Sequence, residues 1–155
     1  TGENLFRRSL YTLWKRSVPN PTLHIFDAPE RSEATIKRQE TNTPLQALVL
    51  MNDPIYVEIA KVMGMQIASE QDSGKAIQNA FRKLTGRFPK DAELAVLLRL
   101  KEAELEKFKK SPEKMAGWLN TGAYLVKENP DQYEWAANTV VASAILNADA
   151  TITKR

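Results

Sequence analysis

The sequence predicts an all-α fold: a single multi-helical domain of about seven helices with a long pinned loop after the first. Three observations carry that reading. Helix-start signatures recur along the chain, at Thr43-Pro44, Asp53-Pro54, Ser111-Pro112 and Asn129-Pro130. Each puts a capping side chain directly before a proline, whose missing N–H and fixed φ suit the first helical turn. Apolar residues also return every three to four positions over long stretches. Glycine hairpins and sustained alternation are missing, which leaves little room for β-structure.

The elements follow in order. Residues 4–16 predict an amphipathic helix, with Leu5, Phe6, Leu10, Leu13 and Trp14 at helical spacing and Arg7, Arg8, Lys15 and Arg16 mostly elsewhere. Val18-Pro19-Asn20-Pro21 ends it, because the residue before a proline is driven out of the helical region. Residues 18–42 show no helical period. Leu23, Ile25 and Phe26 suggest a brief extended piece that docks apolar side chains. A loop of this length inside a domain is either functional or tied down. It lacks glycine, so we expect it to be pinned to its neighbours.

From Pro44 onward the chain reads as helical nearly throughout. Residues 44–51 are apolar on almost every side, which implies burial. Thr43 and Gln46 have the capping-box spacing, in which the Thr hydroxyl and the Gln amide each meet an orphan backbone N–H. Residues 54–69 follow, capped by Asp53, with Ile55, Ile59, Val62, Met63 and Ile67 as the expected inner stripe. Residues 73–85 end at Gly86, a left-handed cap, with Pro89 beyond it. Residues 90–110 have Asp91 and Glu93 near the positive end of the helix dipole and Lys107, Lys109 and Lys110 near the negative end. The run from Lys101 to Lys110 reads as a solvated face. Ser111 caps a short helix to about Leu119, and Asn129 starts the last one, to about Asn147.

Composition bounds the function. A chain of 155 residues, 43 % apolar and 26 % charged, is an ordinary globular domain, here residues 1–155 as one helical unit. It does not begin with Met, and Thr1-Gly2-Glu3-Asn4 reads as the start of a piece of a larger multidomain protein. No apolar run approaches the roughly 20 residues of a bilayer span. The absence of cysteine rules out disulfides, thiolate catalysis and cysteine metal sites in this chain. A net charge of +3 adds little to the case for a nucleic-acid partner. We therefore expect no nucleic acid, no metal and no cofactor here.

The chemistry-bearing residues gather on the loop. Asp27, Glu30 and Glu33 form an acidic cluster between the basic pairs Arg7-Arg8, Lys15-Arg16 and Lys37-Arg38. Ion pairing would fasten the loop, and arginine forks suit carboxylates. Paired carboxylates would also serve acid–base catalysis, which leaves Asp27, Glu33 and His24 as weak catalytic candidates. His24 is the only histidine, and it reads first as a structural residue. Asn42 is left over once Thr43, Gln46 and Asp53 are assigned to caps. No glycine-rich phosphate loop, nucleophile elbow or zinc-protease motif is present, so whether the chain is an enzyme stays open. The methionines Met51, Met63, Met65 and Met115 read as core filler.

Several blocks together resemble one family. They are Arg7-Arg8-Ser9-Leu10-Tyr11-Thr12-Leu13-Trp14-Lys15-Arg16, Phe26-Asp27-Ala28-Pro29-Glu30-Arg31, and Lys37-Arg38 leading into Thr41 through Asp53. Leu84-Thr85-Gly86-Arg87-Phe88-Pro89 and the terminal stretch from Trp135 to Arg155 are looser blocks. The chain resembles the planctomycete-type C-terminal domain of unknown function, family 1553, found in large bacterial proteins that also carry a cytochrome-c-like segment. The resemblance covers essentially the whole chain. It implies an exported, periplasmic or cell-surface parent, haem elsewhere in that parent, and the parent's other domains as partners. It supplies no catalytic residue. Two functions follow as expectations: a structural module that packs against other domains, or a contributor of loop residues to an enzyme site for a carbohydrate or redox substrate.

Overall fold

The computed structural model describes residues 12–15, 17–30, 33–124 and 131–152. Among these residues there are only helices, turns and loops. The helices are α1 (Pro21–Ile25), α2 (Pro44–Asn52), α3 (Pro54–Ala68), α4 (Ser73–Thr85), α5 (Asp91–Lys110), α6 (Ala116–Leu119), α7 (Gln132–Leu146) and α8 (Asp149–Ile152), with a tight 3-10 turn (Pro112–Met115) before α6. The all-α expectation holds, and the bounds from α2 to α5 fall within a residue of those predicted.

The opening segment differs. Residues 4–11 and 16 of the expected first helix lie outside the described residues, and residues 12–15 are not helical. Leu13 is exposed and Trp14 half-buried. Leu23 and Ile25 lie in the helical turn α1 and not in an extended piece. Asn20 caps it, its side-chain oxygen accepting from the N–H groups of Thr22 at 3.0 Å and Leu23 at 3.4 Å. Asn20-Pro21 is thus a helix start of the same kind as Thr43-Pro44.

The centre of the molecule is the crossing of α3 and α7. Ala60 and Ile67 of α3, Ala76, Ile77, Ala80 and Phe81 of α4, Leu97 of α5, and Val141, Ala142, Ile145 and Leu146 of α7 form the main core. Phe108, Met115, Ala136 and Ala137 form a second cluster at the other end of α7. The helix α7 is therefore shared by both clusters. The inner face of α3 keeps Ile67 of the predicted stripe, but the rest of that stripe is not fully buried. It carries Val57, Ala60, Gly64 and Met65 together with Glu58 and Lys61, while Ile55, Ile59, Val62 and Met63 are only half-buried. Small residues let the α7 backbone come close, and closeness decides which face goes inward.

Caps fix the helix ends. Gly86 (φ 79°) ends α4 in the left-handed region, its N–H donating to the Arg82 carbonyl. Glu93 takes the Arg87 guanidinium in a two-pronged pair at 2.7 and 2.8 Å and the Lys90 N–H at 2.7 Å. Those contacts hold its carboxyl at about 2. Ser111 stands before the 3-10 turn, but its side chain makes no capping bond. Asn129 lies outside the described residues, and the cap of α7 is Asp131, whose carboxylate accepts from the Tyr133 N–H at 2.9 Å. Lys101 is also not on a solvated face. Its ammonium joins three helices, 2.9 Å from Glu134 of α7 and 2.7 Å from the Ser73 hydroxyl of α4.

Asn138 in α7 is fully buried, and among the described residues neither its amide nitrogen nor its oxygen has a hydrogen-bond partner. An unpaired buried amide costs about 1–3 kcal/mol. Asn138→Leu, of nearly the same volume, should therefore raise the thermal midpoint by several degrees, on the order of 2–4 °C per kcal/mol for a chain of this size. Differential scanning calorimetry of the two proteins checks this.

Candidate functional site

The loop between α1 and α2 is fastened at one junction. Asp27 has a left-handed backbone (φ 57°), which an L-residue enters at a cost of about 1–2 kcal/mol. Its position closes α1: the Asp27 N–H donates to the His24 carbonyl at 3.1 Å and the Ala28 N–H to the Leu23 carbonyl at 2.9 Å. The Asp27 carboxylate accepts the Thr41 backbone N–H at 2.8 Å and the Thr41 hydroxyl at 2.8 and 2.9 Å. The Thr41 bonds, aided by Arg38 and Gln46, hold the Asp27 carboxyl below the usual range. Arg38 spends its guanidinium on backbone, donating to the Asp27 carbonyl at 2.9 Å and to the Phe26 carbonyl.

Gln46 completes the junction from α2. Its side-chain oxygen accepts the Thr43 N–H at 3.2 Å, while the Thr43 hydroxyl accepts the Gln46 N–H at 3.4 Å. The capping box is thus present. The same amide's nitrogen donates to the Ile25 carbonyl at 2.9 Å and to the Thr41 hydroxyl at 3.1 Å. Gln46 is buried, and it both caps α2 and ties α1 to it. Phe26 meets Tyr56 of α3 edge to face, with 6.3 Å between ring centres. Trp14 donates its indole N–H to the Glu30 carbonyl at 3.0 Å.

The candidate residues fall as follows. His24 is exposed and shares a shallow depression of about 420 Å³ with Asp27, Glu30, Lys37 and Arg38. Glu33 and Asn42 are exposed and do not line it. Among the described residues no ion pair joins Asp27, Glu30 or Glu33 to Lys15, Lys37 or Arg38. The fastening seen here is made of hydrogen bonds to backbone and hydroxyl groups. Arg7, Arg8 and Arg16 lie outside the described residues. Asp53 caps α3 through the Ile55 N–H at 2.9 Å. Met65 and Met115 are buried and Met63 half-buried, whereas Met51 is exposed. Among the described residues no group of three or more acidic or histidine side chains is placed to hold a metal.

A second site went unnoticed in the sequence. Glu58 and Lys61, one turn apart on α3, are 4 % and 2 % exposed. Both reach the 121–124 turn. The Lys61 ammonium donates to the carbonyls of Thr121 at 2.6 Å and Tyr124 at 3.3 Å, and the Glu58 carboxylate accepts the Tyr124 N–H at 2.6 Å. Gly122 lies directly on the Glu58 carboxyl, where a Cβ would collide, and its φ of 85° also calls for glycine. Burial pushes the Lys61 ammonium below the usual lysine range, with Glu58 opposing the shift. The Trp135 indole N–H donates to the Lys61 carbonyl at 2.9 Å. Beside this clamp opens a cleft of about 540 Å³, walled by Met115, Leu119, Tyr124 and Trp135. The only signal for it in the sequence was two charges at positions that α3 needs for its core.

A family profile described as PSD1, protein of unknown function (DUF1553), matches residues 1–101. The chain belongs to the PSD1 family. No curated protein and no solved structure matches it. The PSD1 match takes in the Asp27 junction, α2, α3 with Glu58 and Lys61, and α4, and it ends within α5. The resemblance expected over the whole chain is thus found over its first 101 residues, and the terminal block from Trp135 lies beyond them.

Proposed function

We propose that this PSD1 chain is a structural module that packs against other domains of a larger protein and helps shape a composite site there. The observation that carries the reading is the outer face of α2. This helix has no charged residue, and it buries only Gln46 and Leu50. Leu45, Leu48 and Met51 are 51 %, 55 % and 47 % exposed. An all-round apolar helix was expected to be buried, and here only one side is. Burying apolar surface is worth about 25 cal/mol per Å², so an uncovered apolar face of this kind marks an interaction surface. Leu13, Val18 and Ile36, all in the segment before α2, are exposed as well.

The exported, cytochrome-c-linked setting is part of the same proposal and draws its support from the sequence resemblance. Among the described residues no helix is long and apolar enough to cross a membrane. The enzyme reading has its support in the depression that holds His24, Asp27 and Glu30. It is the weaker reading, because the Asp27 oxygens are already taken by Thr41 and Gln46.

The test is Leu48→Lys combined with Met51→Lys. Both side chains point outward, so the isolated chain should keep its stability to within about 0.5 kcal/mol per substitution. The full-length protein should instead lose its compact form, seen as a larger radius of gyration in solution scattering and faster cleavage between domains. Unchanged scattering and unchanged cleavage would remove α2 from any interdomain contact.

A further inference from the structure

We propose that the cleft between α3, the 112–124 segment and α7 binds a small, planar, uncharged molecule that carries a cyclic amide. At about 540 Å³ the cleft falls in the range of small-molecule sites, roughly 300–1,000 Å³. Its lining is divided about evenly between polar and apolar groups, the apolar part supplied by Met115, Leu119, Tyr124 and Trp135. Flat rings and thioethers of this kind suit the face of a planar ring.

The polar groups select the ligand's edge. An ammonium has three donors, and Lys61 gives two of them to the Thr121 and Tyr124 carbonyls. The third is uncommitted among the described residues, and it calls for an acceptor oxygen. That oxygen need not be charged. Glu58 lies one turn before Lys61 and offsets its charge through space from beneath Gly122, so the site offers an anion less net charge than a lone ammonium would. Asn120 and Gln132 also line the cleft. Their carboxamides carry a donor and an acceptor in one plane and make no side-chain bond among the described residues. The complement of such a pair is another amide edge, with its C=O and N–H side by side. A lactam or imide ring offers that edge, a carbonyl for Lys61 and a flat apolar face. This inference is independent of the α2 surface, since the cleft is built by the second core cluster around α7.

The probe is 2-pyridone, a planar lactam, titrated into the 15N-labelled chain, with benzoate as an anion of similar size. We expect 2-pyridone to shift the Trp135 indole N–H and the Asn120 and Gln132 side-chain amides along one saturable curve, with a Kd on the order of millimolar for so small a molecule. Benzoate should bind at least about tenfold more weakly. Asn120→Ala and Gln132→Ala are exposed positions whose loss leaves the fold intact, which an unchanged unfolding midpoint verifies. Each should weaken 2-pyridone about three- to tenfold, the effect of one hydrogen bond. Absence of saturable shifts, equal binding of benzoate, or full affinity in both variants would overturn the proposal.

Discussion

Gly64→Ala should lower the unfolding free energy by about 2 kcal/mol, even though alanine is the better helix former by about 1 kcal/mol. A Cβ at Gly64 would sit 2.5 Å from the Thr139 nitrogen and hydroxyl and 2.6 Å from its Cα. Two of those atoms are backbone, so no rotamer change relieves the overlap. The Thr139 hydroxyl is itself held, donating to the Trp135 carbonyl at 2.8 Å. The helices α3 and α7 must separate, and overpacking of this kind costs about 3 kcal/mol. Val at the same position should cost more, because its two added methyls enter the same crossing. Gly117→Ala is the control: nothing lies within 4 Å of a Cβ there, so it should be neutral or slightly stabilising. In urea, Gly64→Ala should shift the midpoint down with the slope unchanged, as befits a loss of stability without a change in the surface exposed. Equal midpoints for Gly64→Ala and Gly117→Ala would refute the close crossing.

The same crossing shows what a sequence discloses and what it withholds. Helix starts were legible at Thr43-Pro44 and Asp53-Pro54, because the signal is local: Thr43-Pro44-Leu45-Gln46 specifies its own hydrogen bonds, though the same kind of signal at Asn20-Pro21 was passed over and Ser111 makes no capping bond. Gly86 was legible for the same reason. The inward face of α3 was not, because it depends on which partner approaches. Apolar size pointed to Ile55, Ile59 and Val62, whereas Gly64 and Ala60 admit α7 and bring Glu58 and Lys61 in with them. The loop residues divide in the same way. Asp27, Arg38 and Gln46 stood out by type, yet charge pairing was the wrong language for the bonds seen: Arg38 addresses carbonyls and Asp27 addresses Thr41. A carbonyl acceptor is present in every residue, so sequence cannot single it out. The apolar stretch of α2 was legible as apolar, but whether it is covered depends on what lies outside this chain.

Lys61→Met should be among the most damaging single changes in the molecule, at about 2–6 kcal/mol, since two carbonyls lose a charged donor and each left unpaired costs about 1–3 kcal/mol. Two carbonyls, those of Thr121 and Tyr124, lose their donor, and the Glu58 carboxylate is left buried with the Tyr124 N–H and no cation beside it. Glu58→Gln should cost less alone, since an amide oxygen still accepts from Tyr124. Made together, the two changes should cost less than their sum, because the uncompensated carboxylate is gone. The pH dependence has a definite sign. The folded value of Lys61 lies below its ordinary 10.5, so between the two values the unfolded chain binds more protons than the native one. Stability from this group therefore rises as pH climbs through that window, and it is at its lowest below it. Urea unfolding of the wild type and Lys61→Met from neutral to alkaline pH reads this directly: the stability gap between them should widen with pH. A gap that is small at neutral pH and constant up to 10.5 would show that Lys61 neither holds the 121–124 turn nor is held by it.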